Sequence, residues 1–334
     1  MPLFPPSPAP GQVPIFNSAC PWASSAEDLK ALWDCPYTKA VTTRTCTLNG
    51  FPDDASKHQV TFFGSSAQSS SNSYGYSPYP LSQYLDWIRP FLATAATERK
   101  RSKQVIVSVT GTLEETEKML DVLQAFATEQ GIVLACEMNS SCPNFRGHPP
   151  PAYNEAELTS FLALIARKSS PTLKVGVKLP PYTYDAQFDA VLRAFSAIPS
   201  LPGQKEHPVS FLTATNTLGQ GLVFGEQIVE VASSAVAQKK KDDLFALPGG
   251  WGGLAGASVH QTSLGTVHRL SLLLHSSTDE RLKSISIIGV GGAHDAASVE
   301  RFRRAGASAV ACATGLGREG LAVFEKMAAS LPKL

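Results

Sequence analysis

Short runs of β-branched and aliphatic residues alternate along this chain with longer segments whose apolar residues recur at helical spacing. Such alternation is typical of repeated strand–helix units. The predicted strands are Ala40–Arg44, Gln104–Thr110, Ile132–Met138, Leu173–Lys178, Val209–Ala214, Ser284–Ile288 and Ala309–Cys312. The predicted helices are Ala26–Trp33, Leu81–Ala93, Thr112–Glu129, Glu155–Lys168, Tyr184–Ala197, Gln261–Leu274, Asp295–Ala305 and Gly317–Leu331.

Around eight such units in one chain favour an α/β fold with a single closed (β/α)8 TIM barrel. An open doubly wound sheet would need a glycine-rich fingerprint after its first strand, and the sequence has none there. We expect a proline-rich extension over residues 1–14 and one barrel domain over residues 15–334. Ser65–Ser73 is predicted to be a flexible loop, and Leu244–Gly256 an excursion from the barrel over its C-terminal face.

Composition narrows the class of protein. The chain has 29 basic and 28 acidic residues, a net charge of +1, which offers no electrostatic case for nucleic acid or an anionic membrane surface. The run Lys239–Lys241 is followed by two aspartates and predicts a solvated helix end. Six scattered cysteines without zinc-site spacing predict reduced thiols in an intracellular compartment and no metal site.

The chain termini bear on localisation. We find no signal peptide, transit peptide or apolar stretch of ~20 residues that could span a bilayer, so we expect a cytoplasmic protein. The final Pro332-Lys333-Leu334 loosely resembles a peroxisomal address, but proline replaces the small residue of that signal.

In a barrel, the loops after the strands build the active site. Gly289 to Gly292 follow the seventh strand, and Ala313 and Thr314 follow the eighth, which favours a phosphate pocket of small residues and backbone N–H groups. The alternative is that these glycines only make a tight turn.

Three other strand ends carry polar candidates. Lys178 suits either a cation beside a flavin ring or a rim ion pair. Cys142 is either a reactive thiol or inert packing. Asn139, Asn144 and Asn216 could bind a planar ligand with alternating C=O and N–H groups, or could cap helices and turns.

Together these residues resemble the class 1 dihydroorotate dehydrogenases, specifically the homodimeric, fumarate-dependent subclass, from about Asn17 to Leu331. Each motif is weak alone, but their order along the chain is highly specific. The strongest is Glu137 to Asn144, with Arg146 to Pro149 beyond it. The others are Asn72–Tyr76, Val177–Tyr182, Asn216–Gly219, Gly250–Gly256, Ile288–Gly292 and Ala313–Gly315.

The resemblance implies FMN-dependent oxidation of (S)-dihydroorotate to orotate in pyrimidine biosynthesis, with fumarate reoxidising the flavin. Cys142 matches the catalytic base and Lys178 the lysine beside the flavin. The implied substrate residues are Arg44, Asn72, Tyr74, Gly75, Tyr76, Asn139, Asn144, Asn216 and Thr217. The implied FMN-binding residues are Ala19, Cys20, Arg44, Asn139, Lys178, Gly253, Gly291, Gly292, Ala313 and Thr314.

The subclass assignment depends on three features. The membrane-bound class uses serine as base and has an N-terminal anchor, whereas this chain has cysteine and no anchor. The heteromeric class is harder to separate, but the run Phe145–Pro149 favours the homodimeric form. A homodimer is therefore expected from the resemblance alone.

The chain departs from the family pattern at Thr43-Arg44-Thr45, where the family has lysine, and at Cys20, where it has glycine. Arginine could supply positive charge to a substrate carboxylate, or could block the pocket. Two alternatives to dihydroorotate oxidation therefore stay open: a flavin barrel acting on another cyclic imide or enone, and a non-catalytic flavin-binding paralogue.

Overall fold

A computed structural model of the chain describes residues 2–6, 8–95, 98, 102–144, 149–200, 204–231 and 243–329. Its strands are β1 Ile15–Asn17, β2 Ala40–Thr42, β3 Val60–Phe63, β4 Ser69–Asn72, β5 Gln104–Val109, β6 Leu134–Asn139, β7 Leu173–Leu179, β8 Val209–Ala214, β9 Leu218–Leu222, β10 Trp251–Gly256, β11 Ser286–Val290 and β12 Ala309–Cys312. Its α-helices are α1 Ala26–Asp34, α2 Leu81–Thr94, α3 Leu113–Gln130, α4 Glu155–Lys168, α5 Asp185–Ser196, α6 His260–Ser276, α7 Ala296–Ala305, α8 Thr314–Glu319 and α9 Ala322–Ala328.

Eight parallel strands close into a barrel in the order β1-β12-β11-β8-β7-β6-β5-β2, which confirms the predicted (β/α)8 barrel. Strand β1 was missed by the pattern analysis because three residues after a proline are too few to show a period. Its pairing of Asn17 with Cys312 and of Phe16 with Ala40 closes the barrel.

A second, antiparallel sheet with the order β3-β4-β10-β9 stands outside the barrel. It contains the end of Leu244–Gly256, which confirms that this segment is an excursion. The prediction that Ser65–Ser73 is a flexible loop is wrong, because Ser69–Asn72 pairs with β3 on one side and β10 on the other. The backbone N–H and C=O groups of β4 form hydrogen bonds with both neighbouring strands. These bonds order a serine-rich segment that has too little apolar surface to become ordered alone.

Seven of the eight predicted helices occur at the expected places, with ends that differ from the prediction by at most two residues. Thr112 and Glu115 form a reciprocal capping box that starts α3. The single helix predicted over Gly317–Leu331 is wrong within the described residues: α8 ends at Glu319, and Gly320, with φ of 61°, turns the chain before α9. Among the described helices, none has both the length and the apolarity needed to cross a bilayer.

Apolar side chains fill the end of the barrel opposite the functional loops. Phe4, from the proline-rich segment, is buried and stacks on Phe16 with ring centroids 5.3 Å apart. Ile106, Phe211 and Ile288 belong to the same cluster. Because this end is packed with hydrophobic residues, the polar candidates lie at the other end of the barrel, where the carboxyl ends of the strands line a cleft.

Candidate active site

The carboxyl ends of the barrel strands surround one continuous cleft, made of two adjoining cavities. The cavities share seven lining residues: Ala19, Lys178, Asn216, Thr217, Ala255, Ala313 and Thr314. One end of the cleft is lined by small residues, and the other by amides, Cys142 and Arg44. Most of the residues predicted for the site therefore come together, although they are scattered along the sequence.

Backbone conformation explains the glycines at the small-residue end. Gly291 and Gly292, directly after β11, have φ of 131° and 74°, a region that side chains disfavour. A Cβ at Gly292 would lie 2.8 Å from the carbonyl oxygen of Gly256. Thr314, after β12, is fixed by a 2.9 Å hydrogen bond between its hydroxyl and that of Ser70. Two loops and the small sheet thus form a tight wall that a side chain at either glycine would disrupt.

Lys178 lies at the junction of the two cavities. It is the last residue but one of β7, is 4% exposed, and its Nζ donates to Ser18 Oγ at 3.1 Å. The carboxylate of Glu137, also buried, lies 3.9 Å from Nζ. The pair is internal, so the alternative of an ion pair at the rim does not hold.

Four asparagine amides face the other cavity and bond to one another. Asn144 Nδ2 donates to Asn72 Oδ1 at 3.2 Å and to the carbonyl oxygen of Tyr74 at 2.7 Å. Asn216 Nδ2 donates to Asn139 Oδ1 at 3.2 Å. These contacts link loops from different strands, while Asn72 and Asn139 also cap turns, because their Oδ1 atoms accept from the backbone N–H groups of Tyr74 and Ser141.

Cys142 follows β6 and lines the same cavity as these amides and Lys178. Burial raises the pKa of the thiol to about 11, while the Asn144 backbone N–H and the Lys178 charge oppose the rise. The thiol is therefore mostly protonated near neutral pH.

Arg44 braces the loop that follows β4. Its Nη2 donates to the carbonyl oxygens of Gly75 at 3.3 Å and Tyr76 at 3.2 Å, and its guanidinium lies 5.0 Å from the Tyr74 ring centroid. The side chain is 8% exposed and lines the cavity beside Asn72. Arginine at this position thus packs into the wall and leaves the cavity open.

Of the predicted FMN-binding residues near the start of the chain and on the small sheet, Ala19 and Cys20 line the cleft, whereas Gly253 does not. Ala19 lines both cavities, and Cys20 lines the amide cavity, where burial raises its pKa to about 12. Gly253 lines neither cavity; a Cβ there would meet Thr217, and its carbonyl oxygen accepts from Asn72 Nδ2 at 3.4 Å. The structure therefore places Gly253 behind Thr217, which lines both cavities.

Several lining residues were not singled out from the sequence. They include Ser18, Gln68, Thr215, His294 and Arg318, all at the small-residue end. Gln68 and Gly256 reach the cleft only because β4 and β10 pair. The alternating pattern of the sequence contains no signal for that contact.

Some predicted features cannot be placed. Phe145 to His148, Lys239–Lys241 and Pro332–Leu334 lie outside the described residues. Within the described part of the chain, no three His, Cys, Asp or Glu side chains gather as metal ligands.

Comparison with known proteins gives a consistent match. The family model described as "Dihydroorotate dehydrogenase" matches residues 38–334. A "Putative dihydroorotate dehydrogenase A (fumarate)" of Streptococcus equi subsp. equi is 30% identical over 321 residues, 95% of this chain and 88% of the relative. Proteins with the same description from Streptococcus pyogenes serotype M3 and Streptococcus agalactiae serotype Ia are 29% and 27% identical, over 95% and 96% of this chain and 88% and 89% of theirs.

Proposed function

Because this chain belongs to the dihydroorotate dehydrogenase family of flavin-dependent oxidoreductases, we propose that it oxidises (S)-dihydroorotate to orotate with FMN as its flavin and fumarate as electron acceptor. The observation that carries the proposal is the placing of Cys142, Lys178 and four asparagine amides around one cleft.

The lining of the cleft supports FMN as the flavin. Gly291, Gly292, Ala313 and Thr314 form a wall of small residues suited to a phosphate and its ribityl chain. Lys178, between the two cavities, would place its ammonium where a reduced flavin ring develops negative charge. When bound, the flavin supplies the hydride acceptor.

The substrate-side residues bind, orient and deprotonate. The amides of Asn72, Asn139, Asn144 and Asn216 match the alternating donors and acceptors of a dihydropyrimidine ring. Arg44 provides positive charge on the same wall for the substrate carboxylate. Cys142 Sγ takes the proton from C5 as the C6 hydride departs, so that a C5=C6 double bond forms and substrate charge is conserved.

Anaerobic stopped-flow spectroscopy of the flavin-loaded protein tests the proposal. We expect dihydroorotate to bleach the oxidised flavin absorbance near ~450 nm, and fumarate to restore it. A flavin that stays oxidised with dihydroorotate but is reduced by another cyclic imide would reassign the substrate. A protein that cannot take up FMN would refute the flavin assignment itself.

The small sheet supports a homodimer, the second part of the proposal. Leu222, Phe224, Leu244 and Trp251 are 47%, 38%, 67% and 47% exposed, and Trp251 lies opposite Leu222 across the β9–β10 ladder. A cluster of large exposed apolar side chains is typical of an interaction surface.

We expect sedimentation to show a dimer that Trp251→Lys converts to monomer. The control is Tyr184→Lys, at a 72% exposed site on another element, which should leave the dimer intact.

A further inference from the structure

Glu137 is a buried carboxylate to which the proposed reaction assigns no role. It lies on β6, two residues before Asn139, and is 2% exposed. An ionised group is costly to bury unless its partners compensate for the lost water. Its partners here are the Lys178 ammonium at 3.9 Å and the Ser108 hydroxyl at 2.9 Å.

The hydrogen bonds leading away from Glu137 have a defined direction. A carboxylate can only accept, so Ser108 Oγ donates its proton to Glu137. Ser108 Oγ then accepts from the Thr45 hydroxyl at 2.9 Å. Thr45 Oγ1 in turn accepts from Asn139 Nδ2 at 3.1 Å. Every donor in this relay, defined as Asn139, Thr45, Ser108 and Glu137, points toward the carboxylate.

The relay sets the orientation of the Asn139 amide. With Nδ2 committed to Thr45, the Oδ1 atom faces the opposite way and accepts from the Ser141 backbone N–H at 3.3 Å and from Asn216 Nδ2 at 3.2 Å. Because the relay residues are buried, few water molecules compete for these bonds.

We propose that Glu137 is a positioning residue with two effects: its charge offsets that of Lys178 beside the flavin, and its relay through Ser108 and Thr45 holds the Asn139 amide in its binding orientation. The inference rests on the proposed function, since it concerns the flavin and the pyrimidine ligand of that site. Glu137 acts only through Lys178 and Asn139.

The charge effect is tested by the reduction potential of the bound flavin, a quantity that requires no turnover. Glu137→Gln keeps the size of the side chain and removes its charge, so Lys178 would favour the reduced flavin more strongly. We expect the reduced form to gain about tenfold, ~30 mV for a two-electron couple. Glu137→Asp, which keeps the charge, should have a reduction potential close to that of the unmodified protein. A Glu137→Gln potential equal to or below that of the unmodified protein would overturn the charge effect.

The relay effect is tested by orotate binding to the oxidised protein, followed through the flavin spectrum. Ser108→Ala removes one hydroxyl from the relay and leaves the Glu137 charge in place. We expect orotate to bind about tenfold more weakly, with little change in potential. The matched control is Ser286→Ala, which removes another buried barrel hydroxyl, bonded to the carbonyl oxygen of Ser210. Equal orotate affinity in the two alanine variants would overturn the relay effect.

These outcomes separate the inference from the proposed function. If the unmodified protein binds FMN and orotate but the Glu137 and Ser108 variants behave as it does, only the positioning role fails. If the unmodified protein binds neither ligand, the proposed function fails first. Thermal melting and flavin content of each variant show whether it has folded, and Ser108→Ala still tests the relay if Glu137→Gln does not fold.

Discussion

At the scale of single residues, the chemistry of the cleft depends on how each side chain is buried. Cys46, Cys136 and Cys142 are all thiols with pKa values raised by burial, but of these three Cys142 alone lines the cleft, where it lies with Cys20, Lys178 and the asparagine amides. Its neighbours therefore decide its role, since the thiol itself is common to all three.

Replacing Cys142 with serine should slow flavin reduction by dihydroorotate at least about a hundredfold near neutral pH, because a hydroxyl is far less acidic than a thiol and so much less of it is deprotonated to act as base. FMN content should not change.

In the unmodified protein, the rate of flavin reduction should rise about tenfold per pH unit between roughly pH 6 and 9, since the thiolate fraction of Cys142 grows as the pH approaches a pKa of about 11. Stopped-flow traces across this range measure both effects.

The control for this substitution is Cys35→Ser, which changes a buried thiol at the end of α1, away from the cleft. Its reduction rate should equal that of the unmodified protein. A Cys142→Ser protein that reduces its flavin at the normal rate would remove Cys142 from the reaction.

At the scale of secondary-structure elements, a buried cation secures the first helix. Lys103, just before β5, donates from Nζ to the carbonyl oxygens of Leu32, Trp33 and Cys35 at 2.9, 2.6 and 2.9 Å. These carbonyls stand at the C-terminal end of α1, where no further helical N–H can reach them. The ammonium thus satisfies the helix end and opposes the negative end of its dipole.

The substitution Lys103→Met should lower the free energy of unfolding by roughly 3 kcal/mol, because it removes a buried ammonium that donates to three carbonyl oxygens and keeps only the Thr38 hydroxyl, which also donates to those of Leu32 and Cys35. Chemical denaturation measures the loss. Lys30→Met is the comparison, since Lys30 on the same helix is exposed and forms only a surface ion pair with Asp34, worth at most about 1 kcal/mol. Equal losses in the two variants would show that the carbonyl contacts do not matter.

At the scale of the whole molecule, the proline-rich segment contributes to the barrel. Phe4 is 5% exposed and covers the end of the barrel opposite the cleft, against Phe16. The predicted boundary at residue 15 therefore marks a change in amino-acid composition, while the hydrophobic core extends across it.

Replacing Phe4 with alanine should destabilise the protein by about 3 kcal/mol, because it opens a cavity against Phe16 and its neighbours. The flavin spectrum should stay the same, since the cleft lies at the other end of the barrel. Thermal unfolding with flavin absorbance as a second signal tests both statements. Pro10→Ala, at an exposed position of the same segment, should melt as the unmodified protein does.

The extent of sequence prediction differs between the elements. Val209–Ala214, Glu155–Lys168 and Ala309–Cys312 have their predicted bounds, because each is a long enough apolar pattern between clear breaks. Pattern analysis did not predict strand β4, because its serine-rich sequence has no apolar period and the strand depends on partners on both sides.

The sequence alone determined the barrel class, the order of its strand–helix units and the motifs that carry Cys142, Lys178 and the asparagines. It could do so because apolar periodicity and short motifs are local properties. The tertiary structure decided which partners these residues meet: Phe16 for Phe4, the Tyr74–Tyr76 loop for Arg44, and the relay for Glu137. Such contacts join residues from different elements, so they form only when the whole chain has folded.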